Sequence, residues 1–230
     1  MLTISIIGLL LVLLFMGLPL VFSIGISSMV YFFFADINLA LLTQRMTASI
    51  NSFLILAIPF FFLAGELMNA CKLTDRIIAM AKALVGHIHG GLAQVNIFAS
   101  LIFSGMSGSP TADTTALGSV LIPAMKKEGY PAPFSAAVTV ASSMVGPMIP
   151  PSVALVIYGT LANVSIGRLL LAGILPGFVI IGTQMLFTYF YARKRNFPRY
   201  ERATLPELAT AIKGGGLAIL FPVIIVAGIL

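Results

Sequence analysis

The chain has 230 residues, 59% of them hydrophobic and 9% charged, and its mean hydropathy is +1.08. Soluble domains carry about 25% charged residues, so the sequence lacks the polar exterior of a water-soluble globule and reads as an all-α polytopic membrane protein. The net charge of +6 comes from basic residues scattered over short loops, which argues against a nucleic-acid partner, and the single Cys71 excludes an intrachain disulfide.

Met1 to Val30 has no basic leader and too long an apolar run for a cleavable signal peptide, so it is expected to persist as the first spans. The apolar run from Ile4 to Ala35 would be about 48 Å long as one helix, against a hydrocarbon core of about 30 Å. It is either one long tilted helix or two short spans broken at Gly17-Leu18-Pro19. A polar loop from Asp36 to Arg45 leads to a span over Phe53 to Ala70, with Pro59 inside and Glu66 near its end. Residues from Cys71 to His89 set Lys72, Asp75, Arg76 and Lys82 among apolar residues, the pattern of an amphipathic helix along the membrane interface.

The stretch from Phe103 to Gly118 is small, polar and glycine-rich within an apolar run. Its arms, Gly91 to Phe103 and Pro110 to Met125, would be about 20 and 24 Å long as helices, and neither crosses a bilayer comfortably. Two short arms meeting at a Gly/Ser/Pro tip predict a re-entrant helical hairpin. Pro133 to Ala162 is again too long for one ordinary span. It is interrupted at Gly146-Pro147-Met148-Ile149-Pro150-Pro151-Ser152, where three prolines remove backbone donors, predicting one discontinuous helix. A long span over Ile166 to Ala192 stops at Arg193-Lys194-Arg195. A basic stretch follows, with a short helix expected from Pro206-Glu207, and a further span starts at Gly214.

Placing the loops at 71–90, 126–132 and 193–213 in the cytoplasm puts eleven of the thirteen Lys and Arg residues inside and leaves Arg45 and Arg168 outside. That arrangement sets both ends of the hairpin on one face, although two complete crossings satisfy the same parity.

Broken helices offer a particular chemistry. A half-helix that ends inside a membrane presents bare carbonyls, which suit Na⁺, and one that starts there presents N–H groups and a positive dipole end, which suit an anion. Ser109 is a natural N-cap with Pro110 at the first helical position, followed by Thr111, Asp113 and Thr114. Carbonyls of Gly105 to Gly108 would end the incoming arm. Val145 and Gly146 would end one half-helix of the second break, and Pro151 or Ser152 would start the next. The candidate sodium and substrate residues are therefore Ser104, Gly105, Ser107, Gly108, Ser109, Pro110, Thr111, Asp113, Gly146, Pro147, Pro150, Pro151 and Ser152, with Na⁺ held through Ser107, Gly108, Ser109 and Gly146. Asp113 either shapes that site or stabilises a helix N-terminus. Ser142 and Ser143 stand just before the second break as further candidates, and Gln94 and Asn96 read as helix-bridging residues.

Several runs carry a resemblance: Ala57-Ile58-Pro59-Phe60-Phe61-Phe62-Leu63-Ala64-Gly65-Glu66-Leu67-Met68; Ser104-Gly105-Met106-Ser107-Gly108-Ser109 with Ala112-Asp113; Gly118 to Met125; Gly146 to Ser152; and Leu171-Ala172-Gly173-Ile174-Leu175-Pro176-Gly177. In this order, along the whole chain, they resemble the large membrane subunit of tripartite ATP-independent periplasmic (TRAP) transporters, and specifically its N-terminal half. The resemblance implies a sodium-coupled secondary transporter of the bacterial inner membrane that works by an elevator-type mechanism on an organic acid. It implies a small membrane subunit and a periplasmic substrate-binding protein as partners, and a C-terminal half of the same subunit beyond this chain. No cofactor is expected other than Na⁺ as coupling ion, and no enzymatic activity. The implied organisation is scaffold helices over 1–70, an arm helix over 71–90, the hairpin over 91–128, transport-domain elements over 129–195, a cytoplasmic linker over 196–213 and the start of a second inverted repeat over 214–230.

Other readings fare worse on the residues. Gly105-Met106-Ser107-Gly108 fits the pattern of an intramembrane serine protease, but His87 and His89 lie in a loop before the hairpin and no later span supplies a base. A channel wants a pore ring that nothing here specifies. The nearest rival is another sodium-coupled carboxylate transporter of related elevator architecture.

Overall fold

The computed structural model describes residues 2–35, 38–50, 63 and 73–229. The expected span over 53–70, with Pro59 and Glu66, falls outside the described residues apart from Leu63, as do Asp36 and Cys71. Every regular element among the described residues is helical. The chain divides into two compact units, Met1–Ser52 and Phe53–Leu230.

In the first unit, α1 (Leu2–Phe15) and α2 (Leu20–Phe34) pack on each other, and α3 (Leu39–Ile50) follows. The long apolar run is thus two helices. Gly17 takes φ +84°, a conformation open to glycine at little cost, and Pro19 has no N–H with which to continue α1.

The second unit contains α4 (Leu73–Val85), α5 (Gly91–Ser107), α6 (Pro110–Lys127), α7 (Ala132–Ser143), α8 (Val153–Ala162), α9 (Ile166–Arg195) and α10 (Leu205–Ile229). α5 and α6 form a helical hairpin, and both arms pack against α7. The main core joins Ile77, Met80 and Ala81 of α4 to Ala93, Val95 and Ala99 of α5 and to Leu117, Leu121 and Met125 of α6. α4 is amphipathic as its sequence indicates, and its apolar face is spent on protein, against α5 and α10.

α10 departs from expectation. It runs unbroken through Gly214-Gly215-Gly216, across the expected boundary between linker and next span. Glycine triplets weaken an isolated helix, but here tertiary packing wins: a Cβ on Gly215 would stand 2.8 Å from Met80 Sδ, so the bare backbone lets α10 lie close on α4.

At one end of this unit the chain is fastened by Tyr200. Its backbone N–H donates to Gly86 O at 3.1 Å, its ring carries Lys82 Nζ 3.8 Å above its centre, and its hydroxyl donates to Glu128. Tyr130 Oη donates to Pro198 O at 3.3 Å, and the rings of Tyr130 and Phe197 are 4.4 Å apart. The basic stretches around 82–90, 126–132 and 193–200 therefore meet at one end, where the charge pattern asked for them, and the two ends of the hairpin share it. Among the described residues one helix, α9, is long and apolar enough to cross a membrane. One of its faces, with Leu171, Leu175, Phe178, Leu186, Phe187 and Phe190, is exposed.

Candidate functional site

The two interruptions are real breaks and they touch. α5 stops at Gly108, which takes φ +57° and returns its N–H to Ser104 O at 3.0 Å. Ser109 is extended and caps α6, accepting from Ala112 N–H at 3.5 Å and pairing with Thr111 Oγ1 at 2.9 Å, with Pro110 at the first helical position. The chain thus turns from helix to helix over Gly108 and Ser109.

The second break occupies residues 144–152. Val145 O takes the N–H groups of Met148 (2.9 Å) and Ile149 (3.1 Å), so this carbonyl of the expected pair is already engaged. The Pro150-Pro151 peptide is cis. Ser152 then caps α8: its Oγ donates to Pro147 O at 2.6 Å and accepts from Leu155 N–H at 3.2 Å. One buried hydroxyl thus closes the loop and starts the next helix, so of the two starts the sequence left open, Pro151 and Ser152, the cap is Ser152.

Glycine makes the contact between breaks. A Cβ on Gly108 would lie 2.6 Å from Pro151 O and 3.6 Å from Val153 N. A Cβ on Gly146 would lie 3.4 Å from Pro110 N and 3.5 Å from Ser109 C. The hairpin tip therefore seats between the two halves of the discontinuous helix. Gly108, Gly146, Pro150, Pro151 and Ser152 are buried there, with Ser109, Pro110 and Pro147 half-buried at its edge. The arrangement puts the carbonyl end of α5 beside the start of α8, and the start of α6 beside the end of α7. Backbone dipoles of both signs converge on one spot, the geometry that favours a small cation at the carbonyl ends and an anion at the N–H ends.

Not every candidate is at this contact. Thr111 is exposed, its Oγ1 paired with Ser109 and its carbonyl accepting from Thr115 Oγ1 at 2.8 Å. Asp113 lies between the hairpin arms, fully buried, where Oδ2 accepts from Ser104 Oγ at 3.3 Å and Ser100 also interacts with the carboxyl group. Its other oxygen, Oδ1, is buried with no hydrogen-bond partner. Ser104 and Asp113 thus cross-link the arms behind the tip. Gly105 is buried in the last turns of α5, and Ser107 is that helix's final residue.

Two residues went unrecognised from sequence. A Cβ on Gly173 would lie 2.3 Å from Met148 O, and one on Gly177 would lie 2.5 Å from Ile149 Cδ1. These glycines let α9 pass directly behind the second break. Their small-x-x-x-small spacing is the signal that could have placed them at a helix contact.

The family model described as "Tripartite ATP-independent periplasmic transporter, DctM component" matches residues 7–230. The chain is 43% identical over 220 residues to the sialic acid TRAP transporter permease protein SiaT of Haemophilus influenzae, an alignment covering 95% of this chain and 36% of that protein. It is 44% identical over 220 residues to the sialic acid TRAP transporter large permease protein SiaM of Vibrio cholerae, covering 94% and 51% respectively. It is 33% identical over 237 residues to the C4-dicarboxylate TRAP transporter large permease protein DctM of Rhodobacter capsulatus, covering 96% and 54%. The chain thus spans about a third to a half of the length of these curated relatives.

Proposed function

Because this chain belongs to the DctM family of tripartite ATP-independent periplasmic transporters, we propose that it forms part of a large permease subunit that imports a carboxylate-bearing solute on a sodium gradient. Its second unit contributes one half of the transport site. The hairpin α5–α6 is re-entrant, the discontinuous α7–α8 helix stops partway through the bilayer, and Na⁺ sits where their broken ends meet. Ser107, Gly108, Ser109 and Gly146 supply its oxygens. The solute carboxylate faces the helix starts at Ser109-Pro110 and Ser152. The remainder of the subunit completes the cavity and moves with it in an elevator stroke. A small membrane subunit braces the complex in the bacterial inner membrane, and a periplasmic binding protein delivers the solute.

The observation that carries this reading is the seating of Gly108 against Pro151 together with that of Gly146 against Ser109 and Pro110. Backbone interrupted within an apolar protein is tolerated where it is buried or lines a wet cavity, and two interruptions in contact are the arrangement secondary transporters use for ions and substrates. The relatives that transport sialic acid and C4-dicarboxylates by name support an acid as cargo.

The test is uptake in liposomes holding the complete subunit with its partners. Replacing Ser107 and Ser109 together by leucine abolishes Na⁺-dependent uptake if the tip holds the ion; unchanged uptake removes the hairpin from the mechanism. A neutral isostere of the solute should compete poorly, and competition equal to that of the acid would contradict the carboxylate assignment.

A further inference from the structure

Between the hairpin and α7 runs a row of hydrogen bonds. On α7, Ser135 Oγ donates to Pro131 O (3.1 Å), Thr139 Oγ1 to Ser135 O (2.9 Å), Ser142 Oγ to Thr139 O (3.1 Å) and Ser143 Oγ to Val140 O (2.9 Å). A hydroxyl has one proton and two lone pairs, so each of these can bond its own helix and still pair with a neighbour. Across the contact Asn96 Nδ2 donates to Thr139 Oγ1 (2.6 Å), Ser100 Oγ pairs with Ser142 Oγ (2.8 Å) and Thr114 Oγ1 pairs with Ser143 Oγ (2.6 Å). Both arms take part, and Asn96, Ser100, Thr139 and Ser142 are fully buried.

The row ends at the second break. Ser142 and Ser143 close α7, and Gly146, three residues on, meets the hairpin tip. We infer that this row is the positioning device of the cation site: it fixes how far the hairpin slides along α7, and so holds the two carbonyl-bearing walls at the spacing a bound Na⁺ needs. The inference rests on the sodium reading above. Apolar contacts among small residues resist sliding little, whereas a slide here breaks all three bonds together. Affinity for a small ion falls when its ligands are no longer held in place beforehand. Asn96, Ser100, Thr114, Thr139, Ser142 and Ser143 act through the backbone at the two breaks, so they are positioning residues.

Single and paired removals separate positioning from mere stability. Thr139→Val alone leaves the buried Asn96 Nδ2 with Met125 Sδ at 3.8 Å and should lower thermal stability. Asn96→Leu with Thr139→Val removes both partners and should recover most of that stability, since apolar replacement of both ends of a buried bond is nearly neutral. The fastening stays absent in both. In liposomes carrying the complete transporter, the half-saturating Na⁺ concentration for uptake should rise about fivefold in the paired variant, the worth of one neutral hydrogen bond, with the rate at saturating Na⁺ retained. Thr114→Val with Ser143→Ala should also raise the half-saturating Na⁺ concentration and serves if the first pair does not fold. Uptake that is Na⁺-dependent, with the same half-saturating concentration in the paired variants as in the unaltered protein, overturns this inference alone. Uptake by the unaltered protein that ignores Na⁺ overturns both the inference and the reading beneath it.

Discussion

Two glycines show at residue scale how much of the site is backbone. Gly108 and Gly129 both have positive φ, +57° and +89°, but only Gly108 faces an obstacle, Pro151 O at 2.6 Å, whereas nothing lies within 4 Å of a Cβ on Gly129. Gly129→Ala should therefore cost only backbone strain, about 1–2 kcal/mol. Gly108→Ala should cost that plus about 1–3 kcal/mol for forcing the tip off its seat. Equal melting temperatures for the two variants would show that the tip does not press on the second break. The two tyrosines of the far end set an alkaline limit. Burial, with Glu128 close by, pushes the hydroxyl pKa of Tyr130 and Tyr200 up from the ordinary value of 10.0. An acid whose pKa is raised on folding contributes stability that is intact below the unfolded pKa and lost as pH rises through the folded one. Stability should thus show no loss from these groups through neutral pH and should fall above about pH 10. Tyr200→Phe should blunt that fall, and an identical alkaline profile would contradict the assignment.

Helix ends, at the scale of elements, were the legible part of this sequence, because Gly and Pro act on the local chain. Gly17-Leu18-Pro19, Gly108-Ser109-Pro110 and the proline cluster before Ser152 each end or start a helix where their chemistry requires it. Ser152 holds two hydrogen bonds, at 2.6 and 3.2 Å. Ser152→Ala should accordingly cost about 1–2 kcal/mol, read from chemical denaturation. An unchanged stability would mean that the second break is not held by its cap. What the sequence hid was tertiary. Gly214-Gly215-Gly216 reads as a helix boundary, and only Met80 across the contact explains why α10 continues. Nothing in the local sequence singles out Ser100 or Thr139, because each has a partner about 40 residues away, as in the Ser100–Ser142 and Asn96–Thr139 bonds. Asp113 was legible as a buried acid, but its place behind the tip rather than in the contact depends on which face of α6 meets α5.

At the scale of the whole molecule, charge and hydropathy act together. The exposed apolar face of α9 gives way to Arg193, Lys194 and Arg195 within a turn of Phe190, beside the end where Lys126 and Lys127 close α6. That end is also where α5 begins and α6 finishes, so the tip meets the second break away from the basic rim. The central claim is that this meeting of broken helices binds Na⁺. It is tested most directly by following thermal unfolding of the full chain in detergent as NaCl replaces choline chloride at constant ionic strength. A ligand that binds only the folded state raises the melting temperature in a saturable way. The account predicts such a rise with Na⁺, absent with K⁺ and lost when Gly146 is replaced by leucine. A melting temperature indifferent to Na⁺, or a rise that survives Gly146→Leu unchanged, would contradict it.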